Sequence, residues 1–187
     1  MRALLPLVGR LALAPAVFLA VCPPAAPGQT TAAGAPARLR VEVSYVAGLH
    51  AGPLTGRLFL ALSPTADPAP RVAAYNSARQ RDGRVPFFAA DVQGVEPGEA
   101  MLIDAGAVGY PYARLGDLPA GDYWVQALLH VYTEFRRQDG HVVWAAHDQW
   151  EGQRWAFSPG NLVSASRRVR VDPASASPIR LELVDVI

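Results

Sequence analysis

Residues 122–135 read DYWVQALLHVYTEF, the longest alternating stretch in the chain. Every second residue from Tyr123 to Phe135 falls on one face, and most of these are apolar, as in a half-buried β-strand. The segment Gln138-Asp139-Gly140 follows, and Asp-Gly accepts the positive backbone angles that a tight hairpin needs. Residues 141–146 then return as the partner strand. The sequence therefore predicts a long β-hairpin.

The rest of the chain is punctuated by glycine and proline and shows no sustained helical periodicity. The segment 66–84 is predicted to be loops around one short strand, because it contains several prolines and the turn Asp82-Gly83. Further strands are predicted at residues 38–46, 58–62, 72–75, 87–92, 100–104, 167–171 and 179–184. About eight to ten short strands without a helix indicate an all-β fold, a β-sandwich.

The residues before the long strand favour one type of sandwich. The run Leu118-Pro119-Ala120-Gly121-Asp122-Tyr123 resembles a tyrosine corner, in which the tyrosine hydroxyl bonds back to the preceding loop. We therefore expect an immunoglobulin- or fibronectin type III-like arrangement. In it, Tyr123 and Gly121 have structural roles at the corner, and Asp139 and Gly140 have structural roles at the hairpin turn.

Residues 1–28 have the order of regions of a secretory signal peptide. Arg2 is basic, residues 11–21 are mostly apolar, and small residues and prolines follow. Pro15 interrupts the short apolar stretch, which is therefore not typical of a permanent membrane span. Cleavage is predicted after Gly28, with residues 35–37 as the alternative.

The signal peptide predicts export, and the composition of the residues after it predicts the domain organisation. Residues 29–37 are a flexible linker, because proline, alanine, glycine and threonine dominate there, and residues 38–187 are one β-sandwich domain. The location is periplasmic or extracellular. Membrane attachment is expected only through the signal peptide or through lipidation of Cys22, and Val21 disfavours lipidation because a lipoprotein box has a small residue there. Removal of Cys22 leaves no disulfide in the domain.

The charge of the chain excludes one class of partner. All 17 basic residues are arginine, and the 16 acidic residues lie beyond the signal peptide. Loss of Arg2 and Arg10 leaves 15 arginines against 16 acidic residues, a formal charge of −1. The body has no arginine stripe interleaved with aromatic residues, so we expect no nucleic-acid binding.

The sequence contains no complete catalytic motif. No Gly-x-Ser-x-Gly occurs, and no sequence-local metal motif such as His-Glu-x-x-His occurs. The predicted hairpin places His130 opposite or diagonal to His147, which is one metal-site hypothesis. The alternative is that both are isolated histidines on an exposed face. No cofactor is predicted.

Aromatic residues are concentrated in residues 144–157, which hold three of the four tryptophans. Such a cluster packs the loop onto the sandwich, docks against another domain or stacks on sugar rings, and the sequence leaves these alternatives open. The candidate binding residues are Trp144, Asp148, Gln149, Trp150, Glu151, Trp155 and Asn161.

Five motifs carry a resemblance to a family: LPAGDYWVQA (118–127), VYT (131–133), DGH (139–141), DQWEGQ (148–153) and SPGNL (158–162). Together they resemble the N-terminal region of secreted bacterial esterase-like proteins. The resemblance implies a β-sandwich that precedes an α/β-hydrolase-type domain carrying the catalytic residues. No catalytic residue is carried over, because the matching positions are not the catalytic ones.

Three functional hypotheses follow. The first is a non-catalytic accessory module that contacts a hydrolase domain, in the same gene or a neighbouring one, through residues 148–162. The second is a free-standing glycan-binding protein that stacks sugars on Trp150 and Trp155. The third is a metal-dependent enzyme that uses His130 and His147.

Overall fold

The computed structural model describes residues 39–146 and 154–187. These residues form mostly β-strand, as predicted, with one α-helix and one short 3₁₀ helix. In chain order the elements are β1 (Val41–Tyr45), β2 (Leu54–Ser63), α1 (Pro70–Gln80), β3 (Phe87–Val95), β4 (Met101–Ile103), β5 (Val108–Tyr110), the 3₁₀ helix (Leu115–Asp117), β6 (Gly121–Arg136), β7 (Val142–Ala146), β8 (Leu162–Ser164), β9 (Arg167–Val171) and β10 (Ile179–Val186).

The ten strands belong to one curled sheet. Its order is β4-β1-β10-β8-β6-β2-β3-β5, and β7 and β9 also pair with β6. β1 and β10 are parallel, and the other described pairs are antiparallel. β4, at one end of the order, contacts β3 near the other end, so the sheet curls around its own inner face.

The inner face holds the main hydrophobic core. Val43, Leu58, Leu129 and Leu183 have no solvent exposure and come from four different strands. Each such side chain contributes about 1.5–3 kcal/mol by leaving water. The alternation predicted for β6 is confirmed in the middle of the strand, where every second residue, Val125, Ala127 and Leu129, belongs to this core.

The predicted hairpin is confirmed in its strands and its turn. Phe135 pairs with Val143 across the two strands. The Arg137 N–H donates to the carbonyl oxygen of His141 at 2.9 Å, and Gly140 has a φ of 84°. Gly140 is therefore the residue that accepts the left-handed backbone of the turn.

The local geometry predicted for the tyrosine corner is also present. The Tyr123 hydroxyl donates to the carbonyl oxygen of Pro119 at 2.9 Å. A Cβ atom at Gly121 would lie 3.3 Å from the Tyr123 ring, so glycine leaves room for the ring against its own loop.

The prediction of a strand at residues 72–75 and of a chain without helices is wrong. Residues 70–80 form α1, which begins with Pro70 at its first position, where the missing N–H costs nothing. Its buried residues are Pro70, Ala74, Tyr75 and Ser77. These are mostly small or polar, so the helix has no apolar stripe of the usual period that could mark it in the sequence.

Candidate functional site

The outer face of the sheet, opposite the core, carries the candidate sites. Strand alternation places on it Arg57, Phe59 and Ala61 from β2. Register then adds their direct neighbours on both sides, which are Asp91, Ala89 and Phe87 from β3 and His130, Leu128 and Gln126 from β6. One part of this face, here called the covered half, lies under α1 and residues 154–161, and the part around Arg57 and Asp91, here called the open half, is exposed.

Trp155 covers part of the outer face. Its ring stacks on Phe59 with the centroids 4.3 Å apart and the planes 5° from parallel. Tyr75 of α1 meets the same ring edge-on at 5.8 Å. One face of this predicted sugar platform is therefore occupied by the chain's own Phe59.

Residues 154–161 also bury His130, one of the two predicted metal ligands. Its side chain is 6% exposed, and its Nδ1 lies 2.9 Å from Nδ2 of Asn161. The same Asn161 amide donates to the carbonyl oxygen of Trp155 at 2.8 Å, and its Oδ1 accepts the Val131 N–H at 3.2 Å. Burial lowers the pKa of His130, and Arg57 lowers it further. A neutral imidazole that accepts from Asn161 is thus part of the packing between the loop and the sheet.

The second predicted ligand, His147, lies outside the described residues. Within residues 39–146 and 154–187, no group of three or more histidine, cysteine or acidic side chains is placed to hold a metal ion. The predicted binding residues Asp148, Gln149, Trp150 and Glu151 also lie outside the described part. Of the predicted set, the structure brings Trp155 and Asn161 together in one loop, with Trp144 on β7.

The helix is held on the covered half by a polar network that sequence reasoning missed. Gln126, buried on β6, accepts the Arg71 N–H at 3.2 Å through Oε1 and donates to the Ser164 carbonyl oxygen at 3.0 Å through Nε2. The Arg71 guanidinium donates to the carbonyl oxygen of Ala156 at 3.1 Å. Gln126 thereby satisfies a backbone donor in the first turn of α1, a position usually satisfied by a capping side chain.

The open half of the outer face contains a cleft of about 660 Å³, which we name the outer cleft. At one end of it the guanidinium of Arg57 holds Asp91 with two hydrogen bonds, Nε to Oδ1 at 2.7 Å and Nη2 to Oδ2 at 3.0 Å. These bonds lower the pKa of the Asp91 carboxyl. Phe87 and Tyr110 stand at the other end, with Ala89 and Val108 between.

The hairpin projects as a second open surface, here named the hairpin arm: residues 132–136 of β6, residues 142–146 of β7 and the turn between them. Phe135, Val142, Val143 and Trp144 are each between 40% and 46% exposed on it. A smaller cleft of about 330 Å³ lies between Tyr132 and Trp144 of the arm and Arg57 and Asp91 of the sheet.

These surfaces had no signal in the sequence apart from the aromatic cluster. Arg57 and Asp91 meet only because β2 and β3 pair in one register. Neither residue belongs to a local sequence motif, so their ion pair could not be predicted from the residues that flank them.

Comparison of the chain with protein-family models, with curated proteins and with solved structures finds no match. Among the residues that the structure describes, no helix is long and apolar enough to cross a membrane.

Proposed function

We propose that this chain is a non-catalytic interaction module, exported to the periplasm or the medium, that docks onto an esterase-like hydrolase domain through its hairpin arm. The proposal includes an immunoglobulin- or fibronectin type III-like relation for the fold, which the tyrosine corner supports. The proposed docking surface is the arm and not residues 148–162. Of the candidate binding residues predicted from the sequence, the arm contains only Trp144.

One observation carries the proposal: β7 has the sequence of a strand buried on both faces, yet in the described structure three of its five side chains are exposed and the other two are only partly buried. Residues 142–146 read VVWAA, a continuous apolar run, and such runs are typical of strands covered on both sides. Val142, Val143 and Trp144 are nonetheless exposed, and Phe135 lies opposite Val143. Alternation along β7 puts Phe135 and Val143 on one face of the arm and Val142 and Trp144 on the other, so each face presents two exposed apolar side chains, a feature of interaction surfaces.

The charges of the arm favour a protein as its partner. Arg136 pairs with Glu134 at 2.6 Å, and Arg137 pairs with Asp139 at 3.1 Å. Since these charges neutralise each other within the arm, it offers no excess of positive charge to a polyanion. A partner with an apolar surface and a polar rim fits it best.

The buried polar groups of the described residues support a role without catalysis. Asn161 and His130 join the loop to the sheet, and Gln126 holds the helix. The Ser158 hydroxyl donates to the carbonyl oxygen of Arg154 at 3.3 Å. Each of these groups already has a structural partner, so none is left over as a nucleophile with its own base.

The test mixes the exported chain with a separately expressed esterase-like hydrolase domain encoded in the same gene or beside it. Calorimetry and the hydrolysis rate of a p-nitrophenyl ester are measured. We expect binding, and we expect the double variant Val143→Thr with Trp144→Thr to weaken it at least about tenfold, since each loses apolar burial worth about 1 kcal/mol or more.

Leu102→Thr is the matched control, because Leu102 is 46% exposed on β4, away from the arm, and this variant should bind as the wild type does. Absence of both binding and any change in hydrolysis would overturn the proposal. So would ester hydrolysis by the chain alone, or a dimer of the chain alone that the double variant dissociates.

A further inference from the structure

The outer cleft has two chemically different ends joined by a floor of small side chains. Phe87 and Tyr110 are directly paired across β3 and β5, with their ring centroids 6.2 Å apart and tilted by 45°. The next pair on the same face, Ala89 and Val108, forms the floor. Val108 is 73% exposed, so the cleft is open along its outer side.

The polar end offers fixed donors and acceptors together. Arg57 uses two N–H groups on Asp91, and a guanidinium carries five, while each carboxylate oxygen has a further lone pair. The pair is accessible, since the two side chains are 46% and 66% exposed. The planar fork holds both groups in one orientation, which suits recognition of adjacent hydroxyl groups.

The distance between the two ends limits the size of a ligand. Phe87 and Asp91 are four residues apart on β3, which corresponds to about 13 Å at the rise of a strand. Two linked pyranose rings have about this length. The aromatic rings of Phe87 and Tyr110 at one end and the paired polar groups of Arg57 and Asp91 at the other correspond to the apolar and polar sides of a sugar.

We propose that the outer cleft binds a neutral oligosaccharide, with one pyranose ring against Tyr110 and Phe87 and the hydroxyls of the next ring on Arg57 and Asp91. Other ligand classes fit less well. An anion would meet Asp91 and Asp104 in the cleft, and a cation would meet Arg57. A hydrocarbon chain would cover the ion pair without replacing the water on it. Arg57 and Asp91 also line the smaller cleft beside the arm, but Phe87 and Tyr110 lie outside the arm, so a variant at Tyr110 tests sugar binding independently of the docking proposal.

The test titrates the exported chain, labelled with ¹⁵N, with cellobiose and with maltose and follows the amide shifts by NMR. Tetramethylammonium and acetate are titrated separately as a cation and an anion. We expect at least one disaccharide to shift the amides of Ala89, Asp91 and Gly109. Tyr110→Leu, which removes the flat ring, and Asp91→Asn, which removes the charge, should each weaken that binding at least about tenfold.

Asp122→Asn is the matched control, because Asp122 also pairs with an exposed arginine, Arg168 at 3.3 Å, where β6 pairs with β9. It should bind sugar as the wild type does, and the spectra report whether each variant is folded. The proposal is overturned if neither disaccharide shifts these amides, or if both cleft variants bind unchanged. It is also overturned if tetramethylammonium or acetate shifts them and the sugars do not.

Discussion

For a single residue such as His130, the alternation of side chains along a strand predicts which face of the sheet it lies on. Alternation places it on the face of Tyr132, opposite the core side, and Tyr132 does meet the imidazole edge-on at 5.7 Å. Alternation does not predict burial, because the covering side chain, Asn161, is 31 residues away in the sequence. A residue considered for an open metal site is therefore a hydrogen-bond acceptor on β6, buried under the loop that carries Asn161.

Burial of His130 makes stability depend on pH. The folded state holds its pKa below the ordinary value, through burial first and the Arg57 charge second. The unfolded chain thus binds a proton more readily, and stability falls as pH drops below about 6.5, the unfolded pKa. We expect the wild type to lose more free energy of unfolding than His130→Gln between about pH 7 and about pH 5, measured by urea denaturation.

Glutamine keeps an acceptor near Asn161 and does not titrate. The other titratable groups are the same in the two proteins, so the difference between their pH-dependent changes in free energy of unfolding isolates His130. Arg57, across the strand pair, is the charged group that faces the imidazole. Parallel pH profiles for the two proteins would show that protonation of His130 is not coupled to unfolding.

Among the elements of the fold, strands with a long alternating or continuously apolar run were predicted from the sequence. β1, β2, β3 and β6 have long alternating or apolar runs, and all four were predicted. Three strands have only three residues each: β4 was predicted, because a turn at Glu96-Pro97-Gly98 precedes it, whereas β5 and β8 were not. The helix was missed because its contact with the sheet uses small residues and a side chain from β6, Gln126.

Gly56 marks the closest approach of two strands. A Cβ atom there would lie 2.2 Å from the carbonyl oxygen of His130 and 3.2 Å from the Cα of Val131, both backbone atoms of β6. Neither atom can move without loosening the β2–β6 pairing. We expect Gly56→Ala to lower the free energy of unfolding by roughly 1–3 kcal/mol or more, measured in urea.

Gly48→Ala supplies the comparison for this change. Gly48 has open space around the position of a Cβ atom and an ordinary backbone conformation. Its replacement should leave stability unchanged or raise it by up to about 1 kcal/mol, through the unfolded chain. Equal stability of the two alanine variants would mean that β2 and β6 separate at no cost.

At the scale of the whole molecule, the two ends of the described chain are neighbours in the sheet. β1 pairs in parallel with β10, with Val43 opposite Leu181. Such a pairing has no local signature, because it joins strands at the start and end of the domain, and this is why the sequence predicted the strands without their order. The arrangement also makes the sheet depend on its last strand.

β10 lies between β1 and β8 and supports the loop that covers the outer face. Leu181 and Leu183 point into the main core, and the Ile187 N–H donates to the carbonyl oxygen of Asn161 at 2.9 Å. Two buried leucines contribute about 3–6 kcal/mol together, a large part of a typical stability of about 5–15 kcal/mol.

We therefore expect a chain that ends at residue 178 to lose its cooperative thermal transition in calorimetry, and an excess of a synthetic peptide of residues 179–187 to restore it. A peptide with Leu181→Asp and Leu183→Asp should restore nothing, because its core-facing positions carry charges that cannot be buried unpaired. If the shortened chain melted as the full chain does, β10 would contribute nothing to the stability of the sheet. The core would then have to be complete without Leu181 and Leu183. Restoration by the charged peptide would instead place the contribution of β10 in its backbone hydrogen bonds to β1 and β8.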